Sequence, residues 1–284
     1  MCAQDQIPLW QPVLMGVRLG NWKRGSMAVM TCYTDAGGGP AEIVVSPATL
    51  VSTPDKWLEF ERRWNDALAA HNISGLHMKE FAHFKGEYES FRWDEPRRRR
   101  LLNALLWIIE ECIDYSAAVA IYIEGYNRAD LTYRLSESMR PYTMGCMSCA
   151  SRVTRWATTK GIGKNDLTWF FEKGDQDQND LRVHWDIAYP DGAVDPIFLK
   201  KKDVHLSDQP RYIRPFEAAD LIGYENLQAH RLVRTKQGKQ VFSDLRWTMQ
   251  RLMKMNGAEE WGYFGDADIQ RACSEWAIPP RAAV

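Results

Sequence analysis

The sequence predicts an α/β layered domain, a mixed sheet with helices on both faces. Three observations lead there. Short apolar runs of strand character alternate with longer stretches of helical period. Two early runs joined by glycines read as a hairpin, so the sheet is not purely parallel. Later strands are each followed by a helical stretch, and such helices need a sheet face to cover.

The elements follow in order. Residues 1–25 look irregular, with Pro8 and Pro12 interrupting any pattern. "SMAVMTCYT" (26–34) and "AEIVVS" (41–46) are strands joined through "DAGGGP". "TPDKWLEFERRWNDALAAH" is a helix capped by Thr53 or Asp55, with Trp57, Phe60, Trp64 and Leu68 on one face. "ISGLHMKEFAHF" is ambiguous between a strand end and an ordered loop. "EPRRRRLLNALLWIIEECI" is a helix whose apolar face is Leu101, Leu105, Ile108, Ile109 and Cys112. "YSAAVAIYIEGY" (115–126) reads as a strand, and "PYTMGCMSCASRVTRWATTKG" as a helix ended by Gly161. "DLTWFFEKGD" (166–175) is a strand, "QNDLRVHWDIAY" a helix, "PIFLKKKDVHL" strand-like, and "RPFEAADLIGYENLQAHRLV" a strong helix. The expected layout is an irregular extension over 1–26, one domain over 27–232 and a helical appendage over 233–284.

Composition narrows the function classes. The chain has 284 residues, 45% hydrophobic and 12% aromatic, enough for a sizeable core. Its 12 tryptophans read first as packing. A net charge of −1 gives no global attraction to nucleic acid or anionic membrane. Local clusters remain in "PRRRR" (96–100) and "KKK" (200–202), although such runs are usually solvated faces. No apolar stretch approaches membrane-spanning length, so no membrane association is expected. Six cysteines without regular spacing, and an N-terminus lacking the pattern of a secretory signal, lead us to expect a cytoplasmic protein. "CMSC" (146–149) has no second pair at zinc-ribbon spacing and reads as core sulfur.

"DAGGG" is no phosphate loop, because a Walker loop needs a Gly-Lys-Ser/Thr ending that opens a helix. The glycines suit a hairpin turn instead and leave Asp35 at a strand end. Glu172 closes a strand apolar on both faces, where it lies either in solvent past the sheet or inside with a partner. Asp220 falls in the buried stripe Phe216, Ala219, Gly223, Leu227, His230 and needs a cation, a salt-bridge partner or a proton. Three acids from distant segments share one explanation. Clustered carboxylates repel unless a cation compensates, and hard oxygen ligands suit Mg²⁺ or Mn²⁺. Such ions, in pairs roughly 4 Å apart, promote phosphodiester hydrolysis. His77 in "LHMKEF" either moves a proton, helps hold substrate or metal, or is structural.

The first-strand Asp with its small-residue turn, "LHMKEF", the Phe-Glu-x-Gly strand end and "AADLIGYE" together resemble the domain-of-unknown-function 3800 family over roughly 27–232. The resemblance implies a ribonuclease-H-like fold and a metal site at Asp35, Glu172 and Asp220, with His77 and Glu225 as weaker members. Two departures stand out. "DAGG" replaces the family's Asp-Glu-Ser-Gly, and Glu217 replaces a Gln of the late helix. Glu225 lies about 140° around the helix from Asp220, so it reaches the same ion only from an oblique helix. The expectation is a Mg²⁺- or Mn²⁺-dependent phosphodiesterase acting on DNA or RNA. The alternatives are a non-catalytic binding or scaffold protein on the same fold and a hydrolase of a smaller phosphate ester.

Overall fold

The computed structural model describes residues 30–38, 43–173, 177–189, 195–203, 211–235, 242–255 and 261–281. The expected N-terminal extension lies outside them. A six-stranded mixed sheet organises the chain. Strand β1 (Met30–Gly37) pairs antiparallel with β2 (Val44–Ser52), and β2 with β3 (Tyr115–Tyr122). On its other side β1 runs parallel to β4 (Leu167–Glu172), and β4 parallel to β5 (Ile197–Leu199). Two further short strands, β6 (Lys202–Asp203) and β7 (Arg211–Tyr212), pair with each other antiparallel. Finally β8 (Gly262–Phe264) joins β3 in parallel, so the order is β5-β4-β1-β2-β3-β8 and only β2 is reversed.

Strands β1 to β4 are buried on both sides because their alternate side chains feed two cores. Tyr33, Ala48, Leu50, Ala118 and Phe170 face one layer. That layer is built by α1 (Pro54–Ala69), α2 (Met78–Ala82), α3 (Glu95–Cys112) and α8 (Arg214–Thr235). Cys32, Val51, Ala117, Val119, Trp169 and Phe171 face the other. There they meet α4 (Ile123–Thr132), α6 (Pro141–Thr159), α7 (Gln178–Ala188) and α10 (Asp266–Glu275), while α5 (Leu135–Ser138) is a short connector. Thr53 caps α1 by accepting the Lys56 N–H, and Asp94 caps α3 by accepting the Arg97 N–H. Cys146 and Cys149 are core sulfur as expected, both buried against the sheet.

Several elements differ from the sequence expectation. The strand from Tyr115 ends at Tyr122, where the ladder to β2 runs out at Val44, and Ile123 opens a helix. Tyr126 and Ala129, three apart, are its buried residues, so the period there is helical. "LHMKEF" is neither strand nor loop but contains the one-turn α2, which buries Met78 and Phe81. Within "PIFLKKKDVHL", β5 and β6 are two short strands in different sheets, and residues 204–206 lie outside the described residues. The C-terminal region contains α9 (Trp247–Met253) but also supplies β8, so it completes the sheet rather than hanging from it. No helix among the described residues is long and apolar enough to cross a membrane.

Helix α8 departs from a one-stripe amphipathic pattern. Every residue from Pro215 to Leu227 is buried, because the sheet lies on one side, and α1, α2 and α9 pack around the rest. That places Glu217, Asp220 and Glu225 in the interior, each in need of a partner.

Candidate carboxylate site at the rim of the parallel strands

Strands β1, β4 and β5 point the same way, so their C-terminal ends form one rim. Tyr33 and Phe170 stack on the α8 face with ring centroids 5.0 Å apart. The two-residue period of a strand then carries Asp35 and Glu172 onto that same face. Ile197 and Leu199 pack against the same core, and two residues further along comes Lys201. Over this rim lies α8, and two glycines bring it close. A Cβ on Gly37 would stand 2.8 Å from the backbone carbon of Gly223, and one on Gly223 would stand 2.8 Å from the Ser46 carbonyl oxygen. One turn of α8 before Gly223 comes Asp220.

The result is a convergence on one nitrogen. Lys201 Nζ lies 3.1 Å from Asp35 Oδ2 and 3.1 Å from Asp220 Oδ2. Both acids are buried, at 3% and 8% exposure. Backbone amides hold them in place: Ala36 N–H donates to Asp35 Oδ1 at 2.7 Å, and Met78 N–H donates to Asp220 Oδ2 at 2.9 Å. Burial on its own would pull the Lys201 ammonium down. Asp220, Asp35, Glu172 and Glu217 outweigh it and hold the lysine well above its usual range, so Lys201 is charged. Glu172 thus belongs to this electrostatic cluster, although the shared contact is made by Asp35 and Asp220.

The other expected members lie apart. His77 caps the N-terminus of α2 with an exposed ring, one residue before the Met78 N–H that grips Asp220. Glu225 is not gathered with the pair: its Oε2 accepts from Thr248 at 2.7 Å and its Oε1 lies 3.2 Å from Arg246, so it fastens α9 and the chain before it to α8. Glu217, the Gln replacement, is fully buried. Trp64 Nε1 donates to it at 2.7 Å and Arg214 Nη1 at 2.6 Å.

Lys201, expected within a charge run on a solvated face, is instead the cation between the two acids. Its signal was the alternation Ile197, Leu199, Lys201, which continues a buried strand face beyond the strand's end. The arginine run, by contrast, is mostly occupied within the protein. Arg97 stacks on Phe91 and donates to Ser90, Arg98 lies over Phe81 and Phe84, and Arg99 pairs with Glu95.

Among the described residues no group of three or more His, Cys, Asp or Glu is arranged to hold a metal. Two carboxylates aimed at one cation still fit Mg²⁺, which is bound through one or two carboxylates with waters and phosphate oxygens completing the shell. The donor set is all oxygen, unlike the His and Cys sets that zinc recruits. No family model and no curated protein matches the chain.

Proposed function

We propose that the rim is a metal-dependent phosphodiester-hydrolysing site on a ribonuclease-H-like domain of the domain-of-unknown-function 3800 type, with DNA or RNA as substrate. One observation carries the reading: Asp35 and Asp220, from a strand and a helix far apart in the chain, meet on a single cation position where parallel strands end. The sheet also supports it, with five strands parallel and the second reversed.

Asp35 and Asp220 would hold Mg²⁺ or Mn²⁺, with Glu172 contributing negative charge beside them. Bound there, the ion would supply Lewis-acid stabilisation of a phosphoryl group and lower the pKa of a water. The Ala36 and Met78 amides keep both acids aimed before any ligand arrives, so the two carboxylates need not reorient on binding. His77, exposed and one residue before the Met78 amide that grips Asp220, is the group we assign to take up or release a proton.

A second reading, a non-catalytic binding protein, draws on one feature: Lys201 already neutralises part of the cluster. Cleavage of labelled DNA, RNA and hybrid duplexes in Mg²⁺ and Mn²⁺ separates the two. Asp35→Asn and Asp220→Asn each keep the acceptor that their backbone amide needs, and are expected to abolish cleavage while preserving the circular dichroism spectrum. Wild-type rates in either variant, or no cleavage by the native protein of any of the three, would overturn the hydrolase reading.

A further inference from the structure

The two acids aim at one point, and a side chain of this protein stands on it. An Mg²⁺ ion sits about 2.0–2.1 Å from its carboxylate oxygens. Any ion bound by both Asp35 Oδ2 and Asp220 Oδ2 would lie against the Lys201 ammonium, which is 3.1 Å from each. Two cations at such a separation repel strongly in a buried setting. One must leave.

We propose that Lys201 is a resident counter-cation that a divalent ion must displace, so that metal occupancy is set by the position of this lysine. The proposal rests on the acid pair being a metal position, and not on which phosphodiester is cleaved there. Three features favour exchange over permanent pairing. The charge is unbalanced, because two carboxylates, Asp35 and Asp220, share one ammonium; a divalent ion in its place compensates more. The lysine has a way out: its side chain is 13% exposed, and its flexible stem follows a three-residue strand at the sheet edge. Its backbone stays put, since the Lys201 carbonyl accepts the Ile213 N–H at 2.9 Å. The acids do not need the lysine to stay aimed, because the Ala36 and Met78 amides remain on them.

The test is a Mn²⁺ titration of the full chain by calorimetry, comparing the native protein with Lys201→Met and Lys201→Arg. Lys201→Met is expected to bind Mn²⁺ at least tenfold more tightly than native. Lys201→Arg, which keeps the cation, should bind no more tightly than native. Without metal, Lys201→Met should melt below native and gain more from added Mn²⁺. Should Lys201→Met fail to fold, the native protein serves: titration with Mg²⁺ is expected to shift the Lys201 Nζ resonance in lysine-labelled NMR spectra, and an unmoved resonance at saturation overturns the proposal. Equal or weaker Mn²⁺ binding by Lys201→Met likewise overturns it and leaves the hydrolase reading intact. No Mn²⁺ binding by native or variant removes both. Absence of cleavage with Mn²⁺ competition intact removes only the hydrolase.

Discussion

Glu217→Ala is expected to lower the unfolding free energy by about 3–5 kcal/mol, the usual consequence of removing one partner of a buried ion pair. Glu217 is fully buried, and both of its oxygens are occupied, by Trp64 Nε1 and Arg214 Nη1. Alanine strands an indole N–H in the core and leaves Arg214, among the described residues, with the neutral acceptors Asn65 Oδ1 and Ser74 O. Glu217→Gln should behave otherwise, because it retains an acceptor and removes a buried charge. Burial raises the Glu217 pKa above its ordinary 4.5, outweighing Arg214, the Trp64 N–H and Lys201. The folded state therefore binds this proton more tightly than the unfolded chain does. That contribution is fully present below pH 4.5 and is lost as pH rises through the folded value, so the native protein carries a penalty at neutral pH that Gln lacks. Urea unfolding at pH 7.5 and pH 4 checks the sign: Glu217→Gln should gain on native at the higher pH and lose that gain at the lower. A gain that grows on acidification would contradict it.

Gly223→Ala should destabilise the protein by about 1–3 kcal/mol, the range for overpacking a filled interior. In an unhindered helix the same change stabilises by roughly 0.8–1.0 kcal/mol. Here the new methyl meets the Ser46 carbonyl oxygen at 2.8 Å and the Gly37 nitrogen at 3.1 Å, both backbone atoms of a central hairpin. Neither side can yield cheaply, so α8 must lift from β1. That motion separates Asp220 from Asp35 without altering either acid. A lower melting temperature together with weaker Mn²⁺ binding is the expected pair of results. A stabilised variant with native Mn²⁺ binding would show that the approach is looser than the spacing implies.

Much of this site was legible in the order of residues. The glycine turn after Asp35 and the apolar run before Glu172 place two acids at strand ends, and the buried stripe of Phe216, Ala219 and Gly223 marks Asp220 as inward-facing. Legibility failed where distant chain decides the outcome. The burial of Glu217, and of Glu225 away from the metal position the resemblance implies, has no local signal, because nothing local announces that Trp64, Arg214, Arg246 and Thr248 enclose the far side of their helix. Strand β8 is three residues long, too short for a periodic signal, and exists because the outer edge of β3 offers it hydrogen bonds. Lys201 sits in a lysine run that reads as a solvated face, although the strand face it continues is apolar.

The ladder between β1 and β4 ends at Thr34 and Phe171, whereas the one between β1 and β2 continues past Asp35 to Gly37. Asp35 is thus clamped on its β2 side at the very place where its β4 neighbour has let go. A three-residue edge strand opens at far lower free energy than a central hairpin. The site is a vise with one fixed jaw, β1 under α8, and one movable jaw, the flexible Lys201 side chain that follows β5. Differences in ligand size will be taken up on the β5 side, while the aim of Asp35 stays constant.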